Sequence, residues 1–170
     1  MGKRVYLSLG SNLGDRVAHL RQALEQMSSA GVRVKRVSSF YRSEPVGFPA
    51  QAWFINCVAE AETERMPLSL LSALKKIERA IGRRPGRRLG PRPIDIDILL
   101  YENALVRVAR LTIPHPRLAE RRFVLVPLRE LAPTLRHPAT LRTVLELLAE
   151  TRDAGQVIRL KESMNRREGE

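Results

Sequence analysis

The chain has 170 residues, 30 Lys+Arg against 18 Asp+Glu, 44% apolar residues, three His and one Cys. That length favours a single domain able to bury its own core, and ordinary Gly and Pro counts exclude collagen-like, disordered and disulfide-rich classes. No apolar run reaches the ~18 residues of a spanning helix, and a lone cysteine suits a reducing compartment.

Residues 5–9 are a short apolar run ending at Gly10-Ser11-Asn12, which predicts a strand and then a turn. Asp15 stands at an N-cap position, and Val17, Leu20, Leu24 and Met27 follow at helical spacing as far as Gly31. Val32, Val34 and Val37 with Phe40 and Tyr41 predict a strand, and Pro45, Gly47 and Pro49 make residues 42–52 a loop. Residues 53–62 return to strand, with Phe54, Asn56 and Val58 on one face and Ile55, Cys57 and Ala59 on the other. Pro67 opens a helix whose apolar stripe is Leu68, Leu71, Leu74, Ile77 and Ile81, ending at Gly82. Residues 83–93 have no core pattern, 94–101 form a strand carrying two aspartates, and 106–113 predict one more short strand. Helices are expected over 122–131 and 141–150, and residues 161–170 have the polarity of a frayed tail. The order β-α-β-β-α-β, with additions, predicts an α+β, ferredoxin-like fold: a mostly antiparallel sheet packed with helices as an α/β/α sandwich. Residues 1–160 are expected to form one domain. The N-terminal apolar stretch is too short for a signal peptide, so a cytoplasmic location is expected.

The formal net charge is +12, and all but five of the 30 basic residues are arginine. Such a balance fits nucleic acid, an anionic membrane face or a phosphorylated small molecule, and guanidinium is the better fork for phosphate oxygens. Its distribution narrows the choice. On the strand that follows Arg92, Asp95 and Asp97 project to one face while Ile94, Ile96 and Ile98 enter the core. Paired carboxylates repel unless a cation sits between them, and oxygen ligands of this kind suit magnesium sharing its shell with phosphates. Arg84, Arg87, Arg88 and Arg92 lie just upstream, in a Gly- and Pro-punctuated loop without an acid. That loop is either a lid closing on polyphosphate or a nucleic-acid arm. The neighbouring aspartates favour polyphosphate. No P-loop or Gly-x-Gly-x-x-Gly motif occurs, and eight aromatic residues with no RNP-type run leave an RNA-binding module without support.

The segment Arg88-Leu89-Gly90-Pro91-Arg92-Pro93-Ile94-Asp95-Ile96-Asp97-Ile98-Leu99 resembles the signature of the 6-hydroxymethyl-7,8-dihydropterin pyrophosphokinases of the folate pathway. Leu9-Gly10-Ser11-Asn12-Leu13, Ser38-Ser39-Phe40-Tyr41-Arg42-Ser43, Phe54-x-Asn56, Ile77-Glu78 to Gly82-Arg83, and Leu111 to His115 through Arg121-x-Phe123 agree in order and spacing. The likeness covers residues 4–135. It implies transfer of the β,γ-pyrophosphate of ATP to the pterin hydroxymethyl group, with release of AMP. By this resemblance Asp95 and Asp97 would bind a pair of magnesium ions, and Arg83 and Arg92 would be lid arginines meeting the charge that develops on the transferred group. Arg88, His115, Arg121 and Arg110 would contact the nucleotide phosphates, with Glu78, Ile98 and Thr112 on the nucleoside side. Phe54 and Phe123 would sandwich the pterin, Asn56 would bond its polar edge, and backbone groups of Ser43, Glu44 and Val46 would read the rest. A monomer acting on small molecules is expected, with neither nucleic acid nor membrane as partner. Leu89 stands where many relatives have Trp, Glu44 where many have Pro, and the order Gly47-Phe48-Pro49 departs from the usual Gly-Pro. His19 and His137 are read as surface or capping residues, and Cys57 as inert core.

Overall fold

The computed structural model describes residues 2–46, 50–86 and 90–161. In chain order the elements are β1 (Lys3–Ser11), α1 (Arg16–Ser29), β2 (Val32–Val37), β3 (Tyr41–Ser43), β4 (Phe54–Thr63), α2 (Pro67–Ile81), β5 (Asp95–Tyr101), β6 (Val106–Val108), β7 (Leu111–Ile113), α3 (Arg122–Leu131), α4 (Val144–Glu150) and β8 (Val157–Arg159). The main sheet runs β5-β1-β4-β3-β8, and β2 also pairs with β4. All its pairings are antiparallel. β3 pairs with the start of β4 and β2 with its end, so the two continue one edge in tandem.

The period of two decides which helices cover which face. Val5, Leu7 and Leu9 of β1, Ile55, Cys57 and Ala59 of β4, and Ile96 and Ile98 of β5 pack under α1 and α2. Leu20, Leu24, Met27, Leu70, Leu74 and Ile77 supply the helical half of that layer. Truncating Leu74, which is buried, to Ala would cost about 2–5 kcal/mol. On the opposite face, Tyr6, Val58 and Leu100 pack with Val124, Leu125 and Leu128 of α3 and Val144 and Leu147 of α4. The layers are helix, sheet, helix. Asp15 caps α1 by accepting the Ala18 N–H at 3.1 Å, and Gly82, at φ 117°, ends α2 in a left-handed turn.

Several expectations need correction: Phe40, expected in one strand with Val32 to Val37, lies in the break between β2 and β3, and Leu68 of the expected α2 stripe is exposed. Residues 106–113 form a hairpin, β6 with β7, because the chain turns back between Val108 and Leu111. The last helix starts at Val144, not 141: Thr143 and Glu146 form a capping box, and Leu141 lies at φ 63°. Arg42 and Ser43, read as loop, are strand, because β3 has partners on both sides in β4 and β8. β8 and a short 3₁₀ turn at Leu118–Glu120 went unread. Cys57 is buried, and burial pushes its thiol pKa up, as expected of inert core. The His137 ring caps a turn, its Nδ1 accepting from the Ala139 and Thr140 N–H groups at 3.2 and 3.3 Å. His19 Nδ1 lies 3.5 Å from Ser11 Oγ.

Candidate active site

α3 and α4 cover only part of their sheet face. Beyond them the register sets polar and small residues in rows across neighbouring strands: Asn56, Gly10 and Asp95 in one, Val58, Ser8 and Asp97 in the next. Ser43 of β3 joins them, its Oγ accepting from Asn56 Nδ2 at 2.5 Å. Gly10 is needed at the centre, since a Cβ there would sit 2.8 Å from Asn56 Oδ1 and 3.4 Å from the Phe54 ring.

Two compartments meet over these rows. The first is a slot lined by Ser8, Gly10, Ser43, Glu44, Val46, Phe54, Asn56 and Phe123. The second is a wider, open cleft whose lining includes Lys75, Arg79, Arg83, Arg84, His115 and Arg117. Arg92, Asp95, Asp97 and Arg121 line both. The guanidinium of Arg92 lies 5.9 Å from the centre of the Phe54 ring, and that of Arg121 lies 5.4 Å from the Phe123 ring. A slot that sets two aromatic rings among hydrogen-bonding side chains suits a flat heterocycle with a polar edge. A wide basic cleft suits polyphosphate.

The turn at Gly82 throws Arg83 back across the cleft. Its Nη1 donates to Glu78 Oε2 at 2.8 Å, to Asp95 Oδ1 at 2.5 Å and to the Ile94 carbonyl at 3.3 Å. Burial works against the Arg83 charge, but Asp95 and Glu78 more than restore it, and the guanidinium pKa is raised. Glu78 is buried, and its Oε2 also accepts the Ile96 N–H at 2.9 Å; burial raises its pKa despite these partners. Arg92 Nη1 reaches Asp95 Oδ2 at 3.4 Å.

Asp97 is placed differently. The His115 Nε2 lies 3.9 Å from its carboxyl, and burial followed by the charge of Asp95 pushes its pKa up to about 7, with Arg121 opposing. His115 itself is held down to about 4 by burial and by Arg121. Because its Nδ1 accepts the Arg117 N–H at 3.1 Å, the neutral ring carries its proton on Nε2. The cleft floor thus holds two adjacent carboxyl groups, Asp95 paired with Arg83 and Arg92 and Asp97 beside a neutral histidine. Among the described residues no cluster of three His, Cys, Asp or Glu forms a closed metal cage. That donor set fits a hard cation that keeps water and borrows phosphate oxygens, and does not fit a structural zinc.

The remaining expected residues are placed unevenly. Ser43, Glu44, Val46, Phe54, Asn56 and Phe123 come together in the slot. Arg83, Arg92, Glu78, His115 and Arg121 come together in the cleft. Thr112 lines a neighbouring groove that shares His115 and Pro116 with the cleft. Ile98 is buried in the core under α1 and α2, and Arg110 is exposed at the β6–β7 turn; neither lines the cleft. Arg88 and Leu89, Gly47-Phe48-Pro49, and tail residues 162–170 lie outside the described residues. Sequence reasoning missed Ser8 and Gly10, although strand period puts both on one face of β1. It also gave Asn12 no role of its own. Asn12 Oδ1 accepts the Arg92 N–H at 2.9 Å, its own N–H donates to the Arg92 carbonyl at 3.1 Å, and its Nδ2 donates to Gln51 Oε1 at 2.7 Å. It ties the base of the arginine loop to the slot side.

A sheet-based slot opening on an arginine-walled cleft over paired aspartates is the architecture of an enzyme that brings a ring and a phosphorylated substrate together. Residues 6–133 match the model of the 7,8-dihydro-6-hydroxymethylpterin-pyrophosphokinase (HPPK) family, and the chain belongs to that family. It is 40% identical to the 2-amino-4-hydroxy-6-hydroxymethyldihydropteridine pyrophosphokinase of Aquifex aeolicus, over 86% of this chain and 91% of that protein. Against the enzyme of the same name from Methylorubrum extorquens the identity is 49%, over 78% and 84% of the two chains. Among solved structures, the wild-type HPPK-DHPS of Plasmodium falciparum superposes with a TM-score of 0.67 at 14% identity, over 88% of this chain and 44% of that one. An HPPK-DHPS in complex with substrates gives 0.69 at 13%, over 88% and 43%. The chain spans a little under half of those longer chains, and the likeness supports the α+β fold. The chain is a pyrophosphokinase of folate biosynthesis.

Proposed function

We propose that the protein transfers the β,γ-pyrophosphate of ATP to the hydroxymethyl oxygen of 6-hydroxymethyl-7,8-dihydropterin. The hydroxyl oxygen attacks the β-phosphorus, the bond from that phosphorus to the α–β bridging oxygen breaks, and AMP leaves while the hydroxyl proton passes to water. The observation that carries this reading is the junction: slot and cleft share Arg92, Asp95, Asp97 and Arg121. A ring in the slot and a triphosphate in the cleft would meet over those side chains, which is the proximity such a transfer requires.

Phe54 and Phe123 would stack on the pterin, and Asn56 with its Ser43 partner would bond the polar edge. Arg83, Arg92 and Arg121 would face the phosphates, with Arg88 a further candidate, and Asp95 and Asp97 would hold magnesium. Bound there, the metal would neutralise phosphate oxygens and align the transferring group. Glu78, buried beneath Arg83, would act by holding that arginine, and His115 as a neutral donor. Thr112 would bound the nucleoside end from the adjoining groove. A cytoplasmic monomer is part of the same proposal. No described helix is long and apolar enough to cross a membrane.

The test is release of AMP from MgATP with the hydroxymethyl pterin present, set against the pterin-free control. Pterin-dependent AMP is the expected result. Its absence, with salt-dependent RNA binding instead, would overturn the proposal in favour of a nucleic-acid module.

A further inference from the structure

None of the described residues 151–160 lines the slot or the cleft, yet this stretch joins two parts of the slot wall. β8 continues the sheet past β3, pairing Val157 with Ser43. One residue further, the Glu44 N–H donates to the Gln156 carbonyl at 3.4 Å, and the Gln156 N–H donates to Glu44 Oε1 at 2.8 Å. The chain then turns to the start of α3. Asp153 Oδ2 accepts the N–H of Arg122, the first residue of that helix, at 2.8 Å. Asp153 Oδ1 accepts the Gly155 N–H at 2.8 Å, and the Gly155 carbonyl accepts Arg122 Nε at 3.2 Å. The residue after Arg122 is Phe123. Glu44 and Phe123, far apart in sequence, are thus both anchored to residues 153–156.

The other end of α3 has its own anchor. Glu130 accepts the Ser39 N–H at 2.6 Å and the Tyr41 hydroxyl at 2.7 Å, while Val124, Leu125 and Leu128 are buried against the sheet. Loss of Asp153 would therefore loosen the first turn of α3 and leave the helix in place. Phe123 rides on that turn, and its position relative to Val46 and Phe54 sets how wide the slot stands.

We propose that Asp153 is a positioning residue for the ring-binding slot, fixing Phe123 to the Glu44 end of β3 so that the slot is at its working width before the pterin enters. This rests on the reading of the slot as the pterin pocket. A preorganised wall lowers the ordering cost of binding, so its loss falls far more on the pterin than on the nucleotide, which the same turn touches only through Arg121, one of several cleft arginines.

The experiment compares wild type with Asp153→Ala and Asp153→Asn by two-substrate steady-state kinetics, pterin binding and melting. The Ala variant should raise the KM for pterin roughly tenfold, with kcat and the MgATP KM within about twofold. Asn should restore only part of the loss, because its one amide oxygen can accept the Arg122 N–H but its NH2 cannot accept the Gly155 N–H. Gln156→Pro, which deletes the donor to Glu44, should show the same split, and Gln156→Ala, which keeps it, should behave as wild type. An unchanged pterin KM in Asp153→Ala overturns the proposal. So does a loss shared equally by both substrates alongside a lowered Tm, which would make Asp153 a general stabiliser. If wild type itself neither binds nor consumes the pterin, the pocket reading falls and takes the proposal with it.

Discussion

Replacing Asp97 with Asn should stabilise the metal-free protein while abolishing its activity. The Asp97 side chain is 35% exposed in the cleft floor, and its pKa is pushed up to about 7 by burial and by Asp95. In the unfolded chain an aspartate titrates near ~4. Between those values the folded protein keeps a proton that the unfolded chain has released, so stability falls as pH rises through the window from about 4 to about 7. Three pKa units at ~1.36 kcal/mol each give a ceiling of about 4 kcal/mol. Water reaching a third of the side chain screens the effect, leaving about 1–2 kcal/mol at pH values above the window. For a chain of this length ~1 kcal/mol moves Tm by about 2–4 °C, so Asp97→Asn should melt roughly 2–8 °C higher at about pH 8 and match wild type near pH 4.

Calorimetric melting across that range in chelator measures the gap directly. Adding magnesium and ATP should then raise the wild-type Tm and leave the variant nearly unmoved, because a ligand stabilises only the state that binds it. Turnover of the variant should vanish. A variant that melts below wild type in chelator at about pH 8, or that gains as much from MgATP, would refute both the like-charge reasoning and the metal assignment.

Arg83→Ala and Arg92→Ala should each slow single-turnover transfer about a hundred- to thousand-fold, with MgATP affinity far less affected; a defect confined to affinity would make them simple phosphate anchors. Because Arg83 occupies an Asp95 oxygen, Arg83→Ala should also bind free magnesium more tightly than wild type, and weaker binding in a calorimetric titration would contradict that competition. His115, held down to about 4, should stay neutral in an NMR titration until well below its ordinary range, and an inflection near ~6.5 would refute its burial. Its neutral state adds stability that is complete above about pH 6.5 and is lost as pH falls toward 4, since the unfolded chain gains the proton first. Phe123 is only half-buried, so Phe123→Ala should weaken pterin binding strongly and lower Tm little; a large Tm loss with unaltered pterin affinity would return it to the core.

The fold was legible where side chains alternate or recur without interruption. The Ile94, Ile96, Ile98 series has a single burial solution, and the structure adopts it; in α2, Leu74 and Ile77 of the expected stripe are buried, but the buried face begins at Leu70 and leaves Leu68 exposed. Errors fell where a residue or two changes direction. The β6–β7 turn splits an apolar stretch that reads as one strand, and the box at Thr143 delays α4 past Leu141. β8 has three residues, two of them exposed, so nothing local marks it; its strand state comes from Tyr41 to Ser43 on the far side of the sequence.

The candidate site divides along the same line. Asp95 and Asp97 share a face by strand period, and the arginines beside them share a loop, so the charged half was visible as one contiguous motif. What the motif does not contain is the difference between the two aspartates. Asp95 receives Arg83 because Gly82 reverses the chain beyond α2, and Arg92 because Asn12 holds that residue's backbone from β1's end of the sheet. Asp97, one strand period along, faces a neutral histidine delivered by the turn after β7. One carboxylate is therefore satisfied by cations of the chain, while the other stays short of positive charge. If a divalent cation is held by the pair as proposed, it would gain most at Asp97 and would compete with guanidinium at Asp95, freeing Arg83 and Arg92 for phosphates. That asymmetry is a tertiary property. It lies in who sits beside each acid, which no spacing along the chain records.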